Sequence, residues 1–359
     1  MNDRIVRALR REPVDATPVW FMRQAGRSLP RYRELRGDVG MFEILRDPEA
    51  AAEITRLPLE YFPVDALVLY NDISTPFFGA GLDVEIHPGL GPVVDRPIEG
   101  PDDVGRLRAH DPRATMDYIM DQIRLLVSRE SVPVLGFVSA PFTLCTYLIK
   151  GAKARNVDET KAFMWRWPDA WARLAGFWAD HLGDFAVAQA EAGAGAVQVF
   201  DSWAGALSPG DYERFAQPYT RRILERLAAA GVPSINFTTG NPALLPLVAA
   251  AGGDGLGVDW RVPLDEAWST VGHDRAIQGN LDPATLAAGR DAALAAAADV
   301  LRRAGGRPGH IFNVGHGLTP DADPEVVRAV VDFVHESTAA SQVPAGRVAS
   351  GPAAIGGES

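Results

Sequence analysis

The stretch VPVLGFVSAP, from Val132 to Pro141, decides the fold that the sequence predicts. Its apolar residues follow one another without alternating with polar ones, which is typical of a strand buried on both faces of a parallel sheet. The run ends at Ser139 and at a proline, and FTLCTYLI then continues as a helical pattern. A strand followed by a helix in this way is the repeating unit of an α/β protein.

Seven further apolar runs have the same character. They are TPVWFMRQ from Thr17, DALVLYND from Asp65, AGAVQVFDS from Ala194, VPSINFTTG from Val232, GDGLGVDW from Gly253, RAIQGNLDP from Arg275 and GHIFNVGHG from Gly309. Eight strand–helix units over roughly 300 residues fit a single (β/α)8 TIM barrel. A doubly wound open sheet is the alternative, but MRQAGRSLP stands after the first strand where that fold carries G-x-G-x-x-G. The sequence therefore predicts an α/β barrel.

Helix starts and insertions complete the predicted organisation. An N-capping residue precedes a proline at Asp47-Pro48, Ser208-Pro209, Asp282-Pro283 and Asp323-Pro324. Residues 73 to 110 are predicted to carry a hairpin inserted after strand two, and Lys150 to about Phe163 a long loop after strand three. We predict a single (β/α)8 catalytic domain over residues 1–340. The tail, residues 341–359, is rich in Ala, Gly, Ser and Pro and is predicted to be disordered.

Composition excludes several classes of function. The 359 residues carry a formal charge of -11, which argues against broad binding of nucleic acid. The single cysteine, Cys145, excludes an intramolecular disulfide and a multi-cysteine zinc cluster, and it suits a reducing, cytoplasmic location. Prolines interrupt the uncharged runs 132–149 and 231–253, so no membrane span is predicted. Neither H-E-x-x-H nor a P-loop occurs, and no metal site or triphosphate site is indicated.

Basic residues cluster after the first predicted strand, in WFMRQAGRSLPRYRELR. Active sites of barrels lie at the C-terminal ends of the strands, so Arg23 and Arg27 are placed to face the barrel mouth. Arginine forms charge-assisted, often bidentate bonds with carboxylates and phosphates. A solvated basic face is the default interpretation of Arg31, Arg33 and Arg36. The first pair is the stronger candidate for an anion site.

Other polar residues at strand ends have a structural and a functional interpretation. Asp72 ends the run ALVLYND, where it suits either a turn or cap, or a carboxylate that accepts N–H groups of an otherwise anionic substrate. His316 lies between two glycines, where a turn without chemistry is the default. Packing and helix capping are the defaults for Tyr147 and Ser202, and Cys145 is interpreted as a small buried apolar residue.

Six motifs together resemble the uroporphyrinogen decarboxylase family over about residues 3–336. They are PVWFMRQAGR from Pro18, LYNDI from Leu69, GFVSAPFTLCTYLI from Gly136, FDSWAG from Phe200, QGNLDP from Gln278 and FNVGHG from Phe312. The resemblance implies a cofactor-free (β/α)8 enzyme, usually a homodimer. It also implies that the enzyme removes CO2 from the four acetate side chains of uroporphyrinogen III to give coproporphyrinogen III.

The resemblance also implies roles for particular residues. Matched to the family's motifs, the substrate-binding residues are Arg23, Arg27, Arg36, Asp72, Tyr147, Ser202 and His316. The arginines match those around the substrate carboxylates, and Asp72 matches the aspartate beneath the four pyrrole N–H groups. The catalytic residues are then Asp72, Arg23, Tyr147 and His316, with the proton donor open between the last three and a water. Ser28 and Trp203 depart from the family pattern and are left out of the predicted site.

Two alternatives belong to other classes of protein. A zinc-dependent corrinoid or thiol methyltransferase of the same superfamily would hold its metal through a His-x-Cys element and a further Cys. The single cysteine counts against that function. A non-catalytic, carboxylate-binding barrel is disfavoured by the number of polar strand ends.

Overall fold

One curved sheet of seven parallel strands forms the centre of the protein. The computed structural model describes residues 2–87, 91–151 and 156–339. Its strands are β1 (Leu67–Val68), β2 (Val84–His87), β3 (Gly91–Val94), β4 (Val134–Ser139), β5 (Ala196–Asp201), β6 (Ser234–Thr238), β7 (Gly255–Gly257), β8 (Ala276–Gln278) and β9 (His310–Ile311). The sheet has the order β1-β4-β5-β6-β7-β8-β9, so its strands follow chain order. Seven of the eight predicted strands are thereby confirmed.

The first predicted strand closes the barrel through a single residue. Val19 forms a parallel bridge with Phe312 beside β9, and its carbonyl accepts from the Asp65 N–H at 2.7 Å just before β1. Pro18 has no N–H to donate to a ladder, and the backbone turns at Met22, so no longer strand forms. The barrel architecture is confirmed, with its first strand reduced to this bridge.

Helices fill the connections between strands. They are α1 (Arg4–Leu9), α2 (Pro30–Arg36), α3 (Met41–Leu45), α4 (Pro48–Arg56), α5 (Pro58–Tyr61), α6 (Pro76–Gly79), α7 (Pro112–Thr115), α8 (Asp117–Arg129), α9 (Pro141–Lys150), α10 (Asp158–Arg166), α11 (Pro168–Glu191), α12 (Pro209–Phe215), α13 (Gln217–Ala229), α14 (Leu245–Ala251), α15 (Leu264–Val271), α16 (Ala284–Ala287), α17 (Arg290–Ala304) and α18 (Pro324–Ala339). The predicted caps form. Backbone N–H groups two or three residues on donate to the side chains of Asp47, Ser208, Asp282 and Asp323.

The inserted hairpin is confirmed, whereas the long loop after strand three is partly wrong. Strands β2 and β3, which follow β1 and precede β4 along the chain, pair antiparallel with each other. Most of the predicted loop from Lys150 to Phe163 that the structure describes is helical, because α10 begins at Asp158. Acidic residues occupy the first turn of α10, which suits the helix dipole, and the helix buries Phe163 and Met164. The predicted tail, 341–359, lies outside the described residues.

A polar network fills the barrel interior beneath the strand ends. The Trp20 indole N–H donates to Gln278 Oε1 at 2.9 Å, and Gln278 Nε2 donates to Gln198 Oε1 at 2.9 Å. All three side chains are buried. Because each side chain bonds to the next, the network links the first strand to β8 and β5 across the interior of the barrel.

Asp65 ties the barrel strands to both ends of the described chain. Its carboxylate accepts from Asn2, from Arg4 at 2.8 Å, from the Val19 N–H at 2.7 Å and from His335 at 2.7 Å. Burial raises the pKa of this carboxyl, but the hydrogen bonds from His335, Asn2 and Val19 outweigh it and hold the pKa below its ordinary value. Asp65 therefore contributes stability at neutral pH that is lost as the pH falls through its lowered pKa.

We expect Asp65→Ala to lower the free energy of unfolding by about 3 kcal/mol or more, because it leaves Arg4 and the Val19 N–H without their buried partner. Asp15→Ala is the matched control, since Asp15 also pairs with Arg4 but has 70% of its side chain exposed, against 1% for Asp65. The control should cost less than about 1 kcal/mol. Urea denaturation measures both values, and equal losses in the two variants would contradict this role.

Candidate active site

A cavity of about 760 Å³ opens at the C-terminal ends of the strands. Its walls come from the loops after the first strand, β1, β5 and β9, from the inserted hairpin and from α9. All the predicted site residues line it, namely Arg23, Arg27, Arg36, Asp72, Tyr147, Ser202 and His316. The fold therefore brings together in one place residues that are up to about three hundred positions apart, as the barrel geometry requires.

Three phenylalanines form an apolar floor to the cavity. Phe137 on β4, Phe200 on β5 and Phe237 on β6 lie on neighbouring strands and all line the cavity. Their rings meet edge to face, with centroids 5.5 Å apart for Phe137 and Phe200 and 5.6 Å apart for Phe200 and Phe237. This floor suits a ligand with a broad apolar face, because covering large aromatic surfaces removes much apolar area from water and is strongly favourable.

The arginine cluster divides into paired and unpaired side chains. Arg31 pairs with Glu34 at 3.1 Å and with Glu53 at 3.8 Å, as expected of a solvated face. Arg23, Arg27 and Arg36 make no ion pair with any described carboxylate, and Arg36 Nε is buried without a partner. Arg36 thus lines the cavity instead of joining the solvated face. Three guanidinium groups that form no ion pair with a described carboxylate make this cavity suited to a polyanion.

The two oxygens of the Asp72 carboxylate have different surroundings, and these correspond to the two functions that the sequence left open. Oδ1 accepts from the Ser74 backbone N–H at 2.9 Å and from the Ser74 hydroxyl, which makes an Asx-turn. No donor from the described residues bonds Oδ2, and the side chain is only partly buried. One oxygen therefore fixes the carboxylate in the loop after β1, and the other remains available to a ligand.

The surroundings of Asp72 disfavour its charge while the cavity holds no ligand. Burial raises the pKa of the Asp72 carboxyl; the bonds from Ser74 and the charge of Arg23 lower it, and the net shift is upward. A ligand that brings N–H donors or positive charge to Oδ2 would favour the ionised form. Positive charge or N–H donors on a ligand would therefore stabilise the ionised Asp72 more than they would stabilise a carboxylate in water.

Arg23 acts electrostatically on three of its neighbours in the cavity. Burial lowers the pKa of His316, and the charges of Arg23 and Arg261 lower it further, so the imidazole is neutral at neutral pH. Burial raises the pKa of Tyr147, with Asp72 raising it and Trp203 and Arg23 lowering it. The Arg23 charge also favours ionisation of Asp72. These four side chains therefore form one electrostatic group.

Several cavity residues were missed or set aside by the sequence analysis. Ser28 and Trp203, which depart from the family pattern and were excluded, both line the cavity, and Trp203 meets Tyr147 edge to face at 6.3 Å. The hairpin residues Ile86 and His87 also line it. The position of Trp203 directly after Ser202 was a usable signal, whereas no local pattern shows where an inserted hairpin docks.

Two other carboxylates at strand ends have structural partners and lie outside the cavity lining. Asp259 accepts from the Gly240 N–H at 2.6 Å and from Arg261 at 2.5 Å. Asp201 is fully buried and accepts from the Thr143 hydroxyl at 2.7 Å, and burial raises the pKa of its carboxyl to about 7. Asp259 joins neighbouring loops and Asp201 joins β5 to α9, whereas Asp72 is the one of these three carboxylates that lines the cavity.

Arg23 has a strained backbone, with φ at 62° in the left-handed region. A side chain there costs about 1 kcal/mol or more, and such strain persists where the surrounding structure and function require it. We expect Arg23→Gly to be more stable than Arg23→Ala by about 1 kcal/mol, because glycine alone relieves the strain. Chemical denaturation of the two variants measures the difference. A more stable alanine variant would contradict the left-handed conformation.

Comparisons with known proteins place this chain in a family. The family described as Uroporphyrinogen decarboxylase (URO-D) matches residues 1–337. A protein named uroporphyrinogen decarboxylase from Sorangium cellulosum is 47% identical over 343 residues, which cover 95% of this chain and 98% of that protein. One of the same name from Salinispora tropica is 48% identical and covers 93% of this chain and 90% of its own length.

A solved structure shares the fold at lower identity. A methyltransferase from Methanosarcina mazei superposes with a TM-score of 0.79 at 21% identity, covering 94% of this chain and 98% of its own. At that identity the likeness concerns the fold alone. The extent of the sequence matches shows that this chain belongs to the uroporphyrinogen decarboxylase family.

Proposed function

We propose that this enzyme removes CO2 from the four acetate side chains of uroporphyrinogen III to give coproporphyrinogen III, without a cofactor. The observation that carries the proposal is the composition of the cavity. Three arginines that form no ion pair within the described part of the chain, and Asp72 Oδ2, which accepts no bond from the described residues, surround an aromatic floor. A macrocycle with eight peripheral carboxylates and four inward-pointing N–H groups complements each of these features.

Binding is divided among the walls of the cavity. Arg23, Arg27 and Arg36 bind the peripheral carboxylates, with Ser202 and His316 as uncharged hydrogen-bonding groups. Phe200 and its two neighbours in the floor cover the apolar face of the macrocycle. Each charge-assisted hydrogen bond contributes about 1.5 to 3 kcal/mol, so several arginines together offset the cost of removing water from the carboxylates of a polyanion.

The reaction needs an electron sink, which the substrate itself supplies. Protonation of the pyrrole carbon next to the one that bears the acetate arm makes the ring cationic. The electrons of the breaking C–C bond then form an exocyclic double bond to the arm-bearing carbon as CO2 leaves. The exocyclic carbon takes up a proton and the ring carbon returns one, so each arm consumes one proton and becomes a methyl group. Neither pyridoxal, thiamine nor a metal is needed for this sink.

Asp72 stabilises the charge that develops on the ring. Its Oδ2 accepts pyrrole N–H bonds, which become stronger as the ring becomes cationic, and this is electrostatic stabilisation of the transition state. The proton comes from Arg23, Tyr147, His316 or a bound water. His316 is neutral at neutral pH, because burial and Arg23 lower its pKa, and it therefore acts first as a hydrogen-bonding group.

Turnover in D2O tests this proposal directly. Mass spectrometry should show one deuterium in each new methyl group and one CO2 for each arm lost, as proton uptake by the exocyclic carbon requires. Release of CO2 without solvent deuterium in the methyl groups would overturn the proton chemistry. Absence of CO2 from folded enzyme would overturn the function.

Chelators are expected to leave decarboxylation unchanged. The sequence contains a single cysteine, Cys145. In the structure this residue is fully buried, and burial raises the pKa of its thiol well above the ordinary value. A neutral thiol is a poor ligand for zinc. The measurement is turnover after dialysis against EDTA, with dialysis against buffer as its control. Loss of activity that zinc restores would favour the methyltransferase alternative.

We further propose a homodimer in the cytoplasm. None of the helices in the described part of the chain combines the length and apolarity that a membrane span needs. The dimer rests on the family resemblance, and light scattering after size exclusion tests it. The expected mass is twice the chain mass of 38.6 kDa. A single-chain mass at micromolar concentration would contradict it.

A further inference from the structure

We propose that Gly317 is a positioning residue for the reaction. Because it has no side chain, the stem of Arg23 lies directly against it, and this contact holds the guanidinium group in the cavity. The inference rests on the proposed function for its effect on turnover. The contact itself can be tested without substrate.

The packing of Gly317 against Arg23 leaves no space for another side chain. A Cβ added at Gly317 would lie 2.4 Å from Arg23 Cδ, 2.8 Å from Cγ and 3.0 Å from Nε. Such distances force the arginine stem to move, because atoms in close-packed interiors do not approach so closely. The backbone of Gly317 itself lies outside the left-handed region, so alanine is not strained there. An alanine at this position therefore acts through Arg23.

Hydrogen bonds fix the two loops that make this contact. The Leu318 N–H donates to the Met22 carbonyl at 2.8 Å, and the Met22 N–H donates to Asn313 Oδ1 at 3.2 Å. These bonds join the two loops directly before Arg23 and on both sides of Gly317, so the Gly317 backbone cannot retreat from Arg23 without breaking them. The displacement caused by a methyl group must go into the Arg23 side chain.

The Arg23 backbone is also held, from its other side. A Cβ added at Gly26 would lie 2.8 Å from the Arg23 carbonyl oxygen. The φ of 62° is a backbone conformation that side chains other than glycine rarely adopt, so the surrounding structure must hold it. Arg23 thus has a fixed backbone and a glycine beneath its stem, and together they set where its charge lies relative to Asp72 and His316. A small shift of a charged group in a catalytic cavity has a large effect on rate.

The first test compares Gly317→Ala with Gly210→Ala. Gly210 is the matched control, because it is exposed, has no atom within 4 Å of an added Cβ and lies outside the left-handed region. We expect Gly317→Ala to lower kcat/KM about tenfold or more, with an unchanged melting curve and an unchanged control. Wild-type kcat/KM in Gly317→Ala would overturn the proposal.

The second test measures the titration of His316 by NMR in the free enzyme. Arg23, Arg261 and Asp259 are the charged groups that act on this imidazole, and the first two lower its pKa. Displacement of the Arg23 guanidinium in Gly317→Ala should therefore raise the His316 pKa, while Gly210→Ala leaves it unchanged. This readout needs no substrate, so it distinguishes failure of the contact from failure of the proposed decarboxylase activity. An unchanged His316 titration would overturn the proposal.

A double-mutant cycle shows whether Gly317 acts through Arg23. In the Arg23→Ala background the stem is absent, so Gly317→Ala should shift neither the His316 titration nor the melting temperature further. If Gly317→Ala alone fails to fold, the double variant should fold, because the overlap has been removed. Equal effects of Gly317→Ala in the wild-type and Arg23→Ala backgrounds, or misfolding in both, would overturn the proposal.

Discussion

Replacement of Asp72 by asparagine is expected to slow decarboxylation about a hundredfold or more, which corresponds to about 2.7 kcal/mol of transition-state stabilisation. The asparagine keeps an Oδ1 that accepts both bonds from Ser74, so the turn after β1 survives. The change falls on the other oxygen. An amide there directs N–H groups at pyrrole N–H groups and removes the charge that opposes the cationic ring.

The control for Asp72→Asn is Asp47→Asn. Asp47 Oδ1 also accepts from the backbone N–H two residues on, at 3.1 Å, but Asp47 is exposed and caps the start of α4. The turnover of Asp47→Asn should equal that of the wild type. Because burial raises the pKa of Asp72, its ionised form opposes folding at neutral pH, and Asp72→Asn should be at least as stable as the wild type. Equal turnover at saturating substrate would remove Asp72 from the mechanism and leave it only the turn.

Arg23→Lys is expected to lower kcat/KM about tenfold to a hundredfold with the fold intact. Lysine keeps the positive charge but loses the planar fork that binds a carboxylate through two bonds. The matched control is Arg31→Lys, since Arg31 belongs to the same sequence cluster but pairs with Glu34 and Glu53 on the surface. Steady-state kinetics together with a melting curve measure both variants. A wild-type kcat/KM in Arg23→Lys would exclude Arg23 from the site.

The parts of the fold predicted from sequence are those that local chemistry determines. VLGFVS at β4 and AVQVFD at β5 carry enough consecutive apolar residues to specify buried strands. Asp47 and Ser208 mark helix starts through bonds to backbone groups two or three residues away. The part of the predicted loop from Asp158 to Phe163 was assigned wrongly, because its polar residues suggest a loop whereas they begin α10. The buried face of α10 is evident only against α9 and α11.

The candidate site was predicted as a set of residues, and its geometry was not. Strand ends in a barrel converge by topology, so Arg23, Asp72 and His316 could be grouped from sequence. Oδ1 of Asp72 accepts bonds within the turn, whereas Oδ2 is left available to a ligand. This difference depends on the orientation of one carboxylate. The left-handed Arg23 directly follows Met22, whose N–H donates to Asn313 Oδ1 and whose carbonyl accepts from the Leu318 N–H, nearly three hundred residues away. No local pattern contains such information.

The most direct test of the central claim is an anaerobic assay of the purified enzyme with chemically reduced uroporphyrin III, followed by separation of the products by their number of carboxyl groups. We predict that the eight-carboxyl substrate disappears, that the four-carboxyl product accumulates without added metal or cofactor, and that Asp72→Asn leaves most of the substrate unconverted over the same time. A cooperatively folded wild-type enzyme that leaves all eight carboxyl groups in place would contradict the account.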